Sequence, residues 1–89
     1  MKTVRIEISG KVQGVFFRAT AKEMAKLHNI SGWIKNTHND MVEACITGKN
    51  EDVEKFIEWC KHGPEKANVE NVRVTDASLQ IFKRFEVMR

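Results

Sequence analysis

The spacing of apolar residues along this chain of 89 residues switches between two periods, and the order of the switches restricts the fold more than any other feature. Between Thr3 and Ser9, Val4, Ile6 and Ile8 alternate with polar residues, the pattern of a strand with one buried face. From Phe17 to His28 the period changes: Phe17, Ala21, Met24, Ala25 and His28 share one helical stripe, with Lys22, Glu23 and Lys26 around the rest of the cylinder. Ile30–Asn36 and Met41–Gly48 return to a strand pattern, joined by Thr37-His38-Asn39-Asp40 as a hairpin turn. A second helix follows, with Asn50 expected as its N-cap, Glu51 and Asp52 in its first turn, Val53, Phe56, Ile57 and Cys60 on its buried stripe, and Gly63-Pro64 as its stop. Val69–Thr75 and Phe82–Met88 close the chain as two further strands.

The order β-α-β-β-α-β plus a short last strand predicts an α+β fold of the ferredoxin-like, split βαβ kind. An antiparallel sheet of four to five strands carries two helices on one face, with right-handed crossovers, in a single domain spanning 1–89. With both helices on one side, the opposite face is expected to stay wet, which suits Arg5 and Glu7 in the first strand.

Composition narrows the function. Apolar residues make up 42% and the net charge is only +3, so a folded core is expected rather than disorder. No apolar run suits a membrane span or a signal peptide, and no membrane partner is expected. Fifteen Lys and Arg against twelve Asp and Glu invite a nucleic-acid reading, but the basic residues are scattered and Lys83-Arg84 is their only adjacent pair. An anionic small molecule fits better. Two cysteines without an export signal point to the cytoplasm. Cys45 has the parity opposite to Val42, Ala44 and Ile46, whereas Cys60 lies on the second helix's buried stripe, so the sheet should separate them and no disulfide is expected. Neither GxxxxGK[ST] nor GxGxxG occurs, and His28, His38 and His62 lack zinc-ligand spacing, so neither cofactor nor metal is expected. His38 in a turn and His62 at a helix end read as solvated surface residues.

Two stretches could bear chemistry. Gly10-Lys11-Val12-Gln13-Gly14-Val15-Phe16-Phe17-Arg18 leaves a strand and enters a helix, where successive backbone N–H groups can form a positive nest for phosphate oxygens. Gly14 permits a positive φ, and Arg18 can turn its planar fork toward the same nest. A glycine turn with an ordinary surface arginine is the plainer reading. The second stretch, Gly32-Trp33-Ile34-Lys35-Asn36, ends a strand that runs parallel to the first in a split βαβ unit, so Asn36 and the loop can meet at one edge. By itself Asn36 also reads as a turn residue, and Trp33 as sheet packing.

The strings GKVQGVFFR and GWIKN resemble the signature pair of the acylphosphatases, and FIEWCKHGPEKANVENVRV resembles the second helix and fourth strand of that family. The resemblance covers essentially the whole chain. It implies hydrolysis of the carboxyl–phosphate bond of acyl phosphates, with inorganic phosphate as product, by a metal-independent enzyme; a monomer is expected. It also implies that Arg18 binds the phosphoryl group, that Asn36 orients the attacking water, and that the backbone of Gln13, Gly14, Val15, Phe16, Phe17 and Arg18 cradles the phosphate. Direct attack of water, without a phosphoenzyme, is expected because no Ser, Cys, His or Asp lies inside either motif.

Thr37-His38-Asn39-Asp40-Met41 departs from the family in lacking the glycine often found in that hairpin, so Asn39 or Asp40 must supply any positive-φ position. Two other classes of function compete. One is a phosphate- or carbamoyl-phosphate-binding module without turnover, of the kind found inside larger maturation proteins; a chain of one domain favours the enzyme instead. The other is an RNA-binding sheet, for which only Trp33, Phe82 and Phe85 offer aromatic rings.

Overall fold

The computed structural model describes residues 1–88, in which five strands and two helices follow the predicted order: β1 (Lys2–Lys11), α1 (Phe17–Leu27), β2 (Ser31–Asn36), β3 (Val42–Gly48), α2 (Asn50–Cys60), β4 (Asn68–Ala77) and β5 (Phe85–Met88). The strands form one sheet in the order β4-β1-β3-β2-β5. β3 is antiparallel to both β1 and β2, so those two strands point the same way and deliver their following loops to the same end of the sheet. The expected all-antiparallel sheet is corrected at one place. β5 pairs parallel with β2, which makes the sheet mixed.

Val4, Ile6 and Ile8 of β1, Ile34 of β2 and Val42, Ala44 and Ile46 of β3 are buried on the helical side. They meet Phe17, Ala21 and Ala25 of α1 and Val53, Phe56, Ile57 and Cys60 of α2. Tilted aromatic contacts join α1 to α2, Phe17 to Trp59 at 5.1 Å, and α2 to β5, Phe56 to Phe85 at 6.0 Å between ring centroids. Phe85 therefore sits in the core, away from Trp33, and the two rings do not share a face as an RNA-binding sheet would require.

Several boundaries move. β1 runs through Gly10 and Lys11, because β4 extends its pairing past a register shift at Ser9/Gly10. β2 and β3 each begin one residue later than expected, and the last strand begins at Phe85 rather than Phe82. Asn50 is not the N-cap of α2. Lys49 holds that place with an extended backbone (φ −63°, ψ 150°), its carbonyl accepts from Val53 N–H at 2.9 Å, and no side chain caps the helix. Glu51 and Asp52 in the first turn compensate by facing the positive end of the dipole. At the other end Gly63 adopts φ +68° and donates its N–H to the Trp59 carbonyl at 2.8 Å, so the helix ends where the glycine was expected to end it.

The face without helices is not wholly wet. Residues 78–84 cross it to carry the chain from the β4 edge to β5 at the opposite edge. Gln80 N–H donates to Thr3 Oγ1 at 2.9 Å, and Thr47 Oγ1 donates to the Gln80 carbonyl at 2.8 Å. This strap buries Thr3, Cys45 and Thr47. Further along the same face the expected polar surface is present: Glu43 pairs with Arg5 and Lys35, and both cations lie over the Trp33 ring.

Both cysteines are free and buried on opposite sides of the sheet, as the parity of Cys45 predicts. Burial raises the pKa of each thiol, since a thiolate in an apolar site loses its hydration. A raised pKa keeps the thiol protonated below it. Neither cysteine should therefore be labelled by a thiol reagent in the native protein between about pH 6 and 8, whereas both should react in denaturant. Rapid labelling of Cys45 in the native state would show that the strap opens.

Candidate active site

The loop between β1 and α1 sorts its side chains by position. Val12, Val15 and Phe17 are buried, which anchors the loop in the core, while Gly14 and Phe16 face outward between them. This alternation bends the backbone through two left-handed residues, Gly14 at φ +72° and Phe16 at φ +65°. A Cβ added to Gly14 would meet nothing within 4 Å, so glycine is required there for its dihedral angle rather than for room.

Phe16 is the N-cap of α1, and its carbonyl accepts from Thr20 N–H at 3.0 Å and from Thr20 Oγ1 at 2.8 Å. No side chain caps the helix and no acidic residue lies in its first turn. The amide N–H groups from Gln13 to Ala19 find no carbonyl or side-chain acceptor among the described residues. They form a run of donors at the positive end of a helix.

The rest of the site comes from β2. Asn36 pairs with Val42, which also pairs with Ile8, so the asparagine lies on the helical face of the sheet at the end where β1 releases its loop. Its Oδ1 is buried and has no hydrogen-bond partner among the described residues. A cavity of about 550 Å³ opens between the two stretches, lined by Gly14, Phe16, Arg18, Lys22, Asn36 and Val87 among others. Its lining includes two cations and no Asp, Glu or His. Arg18 is held by the last strand, one guanidinium N–H donating to the Met88 carbonyl at 2.8 Å.

The two stretches are joined directly. Gln13 Nε2 donates to the carbonyls of Thr37 at 2.9 Å and Met41 at 2.8 Å, clamping the loop onto the β2–β3 hairpin. Inside that hairpin Thr37 N–H donates to the Met41 carbonyl at 2.9 Å, and Met41 N–H donates to Thr37 Oγ1 at 3.1 Å. Asp40 supplies the positive φ, at +67°, that glycine often supplies in this turn, and Asn39 does not. His38 and His62 are exposed, the latter 4.0 Å from Glu58. Among the described residues no group of three or more His, Cys, Asp or Glu is placed to hold a metal ion.

A phosphate-sized anion fits this geometry: free amides on one side, a guanidinium and a lysine beside them, and an unpaired amide oxygen across the cavity. The family model for acylphosphatase matches residues 4–87. The chain belongs to the acylphosphatase family. It is an enzyme that hydrolyses acyl phosphates. An acylphosphatase of Syntrophus aciditrophicus is 42% identical over 76 residues, which are 85% of this chain and 79% of that one. The crystal structure of an acylphosphatase from Bacillus subtilis superposes with a TM-score of 0.96 at 32% identity, covering all of both chains. An acylphosphatase structure from Coxiella burnetii gives 0.94 at 32% identity over 98% of this chain and 92% of its own. The acylphosphatase fold expected from the resemblance is thus the fold found.

Of the sequence-predicted site residues, Arg18, Asn36 and the outward-facing part of Gln13–Arg18 converge on one cavity, whereas the side chains of Val15 and Phe17 serve the core. Sequence reasoning missed the clamp made by the Gln13 side chain, because its partners lie 24 and 28 residues away and nothing local marks them. It also missed Lys22, whose position four residues after Arg18 on the same helix places both on one face. Replacing Gln13 by alanine should remove both hydrogen bonds that tie the loop to the hairpin, leaving the Met41 carbonyl only its bonds from Thr37, and let the loop drift from Asn36. The expected result is a fall of up to about a hundredfold in kcat with melting lowered by only a few degrees, a combination that marks misplacement of about 1 Å rather than unfolding. Steady-state kinetics beside a thermal melt measures both.

Proposed function

We propose that the backbone from Gln13 to Arg18 and the Arg18 guanidinium hold the phosphoryl group of the acyl phosphate, and that Asn36 orients the water that attacks it. The observation that bears most weight is the run of unpaired amides at an uncapped, acid-free helix start, facing an arginine and an asparagine oxygen that lack competing acids. An acyl phosphate needs little more. Its leaving group is a carboxylate of low basicity, so the enzyme has no strong base to protonate, and the tasks that remain are to spread charge over fixed donors and to set a nucleophile in line. Buried Oδ1 accepts a hydrogen bond from the water while the amide stays neutral, so the water's lone pair points toward phosphorus.

In this reading water attacks phosphorus directly, the P–O bond to the acyl group breaks, and carboxylate and inorganic phosphate leave. No residue of the cavity lining can become a phosphoenzyme nucleophile, since it offers no Ser, Thr, Cys, His, Asp or Glu. The same composition supports metal independence, and we take the protein to act as a monomeric, single-domain enzyme of the cytoplasm without nucleic-acid or membrane partners. No helix among the described residues is long and apolar enough to cross a membrane.

The test is a rate profile. Neither proposed group acts as a general acid or base, so kcat/KM should be flat between about pH 5.5 and 8 and unchanged by a chelator. A bell with a histidine-like limb, or loss of activity to EDTA with recovery on adding Mg²⁺, would contradict this mechanism.

A further inference from the structure

We infer that Phe16 and Val87 form a wall that receives the acyl group, so that this enzyme favours acyl phosphates with an apolar, ring-bearing acyl portion over small ones. The inference rests on the phosphoryl group occupying the cradle described above. Phe16 and Phe17 are adjacent, yet they serve opposite ends. Both border the cavity, but Phe17 is 1% exposed and packs on Trp59, whereas Phe16 is 74% exposed and without a core partner. Core packing therefore accounts for one ring and not for the other.

Phe16 also sits at φ +65°, ψ 22°, a left-handed conformation that glycine or asparagine would adopt at lower cost. A bulky aromatic residue held there, at the mouth of the site, is strain stored next to function, and what it yields is an apolar surface beside the reacting group. Val87, on β5, is the second exposed apolar residue of the lining, 39% exposed, and Ala19 adds to the same wall. The cavity's about 550 Å³ lies in the range of pockets that take ligands well beyond a phosphoryl group. Its charges, Arg18 and Lys22, are both positive, so a cationic acyl group is disfavoured and the apolar wall is what remains for the acyl end.

Benzoyl phosphate and acetyl phosphate carry the same reacting group on a ring and on a methyl, and their comparison tests the wall. The wild-type enzyme should show a KM for benzoyl phosphate about tenfold below that for acetyl phosphate, the factor expected of one aromatic contact. Phe16→Ala and Phe16→Gly should both lower the benzoyl-to-acetyl ratio of kcat/KM about tenfold, although only the glycine relieves the backbone. Val87→Thr, nearly the same shape but more polar, should lower the ratio about threefold. Melting curves confirm that each variant is folded. Equal losses on both substrates in the Phe16 variants, or no preference in the wild type, would overturn the wall. Failure of the cradle itself would show differently: inorganic phosphate would then inhibit wild type and Arg18→Ala equally.

Discussion

Arg18→Ala is expected to lose both turnover and inhibition by inorganic phosphate. In the proposed bound state the guanidinium would supply two parallel, charge-assisted hydrogen bonds to phosphoryl oxygens, worth roughly 2–3 kcal/mol, so phosphate affinity should fall by about two orders of magnitude. The transition state spreads more charge over those oxygens than the ground state does, so kcat/KM should fall further, by about 10³-fold or more. Arg18→Lys keeps the charge but not the fork, and should recover part of the phosphate affinity while leaving most of the rate lost. The bond from Arg18 to the Met88 carbonyl also disappears in both variants, loosening β5. Circular dichroism and melting separate that structural cost, which should be small for a half-exposed contact, from the chemical one. An alanine variant that still binds phosphate normally would remove Arg18 from the cradle.

Asn36→Ala should behave differently, because in the proposed mechanism Asn36 orients the water rather than holding the phosphate. Its Oδ1 is buried without a partner, so truncation removes an unpaired polar atom from the interior and should cost no stability beyond the lost packing. Phosphate inhibition should stay within about a factor of ten of wild type, while kcat falls on the order of 10²-fold, the scale seen when one preorganised group is removed from an active site. Asn36→Asp replaces the neutral acceptor by a charged one within the cavity that holds Arg18, and the carboxylate should repel the incoming anion and raise KM. If Asn36→Ala keeps most of its turnover, or loses phosphate binding as completely as Arg18→Ala, the water-orienting role passes to another group.

The parts of this structure that could be read from sequence are those set by local periodicity. The alternation of Val4, Ile6 and Ile8 and the stripe of Phe17, Ala21 and Ala25 announce a strand and a helix, since burial on one face is the same physical demand in both. Two parallel strands bring the loop after β1 beside Asn36, so their meeting was legible once the order of elements was known. What stayed hidden depends on distant partners. Nothing near Gln80 says that it will bridge Thr3 and Thr47, and the strap over the open face could not be foreseen from residues 78–84 alone. Gln13 looks like a loop residue until the hairpin carbonyls of Thr37 and Met41 are placed beside it. Phe16 contradicts its own propensity, and its left-handed backbone between the buried Val15 and Phe17 belongs to the folded loop rather than to the local sequence. The edge pairing of β5 with β2 is likewise a tertiary outcome, since four residues of alternating pattern cannot specify a parallel neighbour.

In the proposed cradle the phosphoryl group is held by the amides of Gln13–Arg18 together with the Arg18 guanidinium. Titration of the ¹⁵N-labelled protein with inorganic phosphate, followed by amide and arginine side-chain resonances, tests it most directly. Saturable shifts are expected, largest at the amides from Gly14 to Arg18 and at Arg18 Nε, retained in Asn36→Ala and abolished in Arg18→Ala. Largest shifts on the opposite face, around Arg5, Trp33 and Lys35, or an unperturbed loop at saturating phosphate, would contradict it.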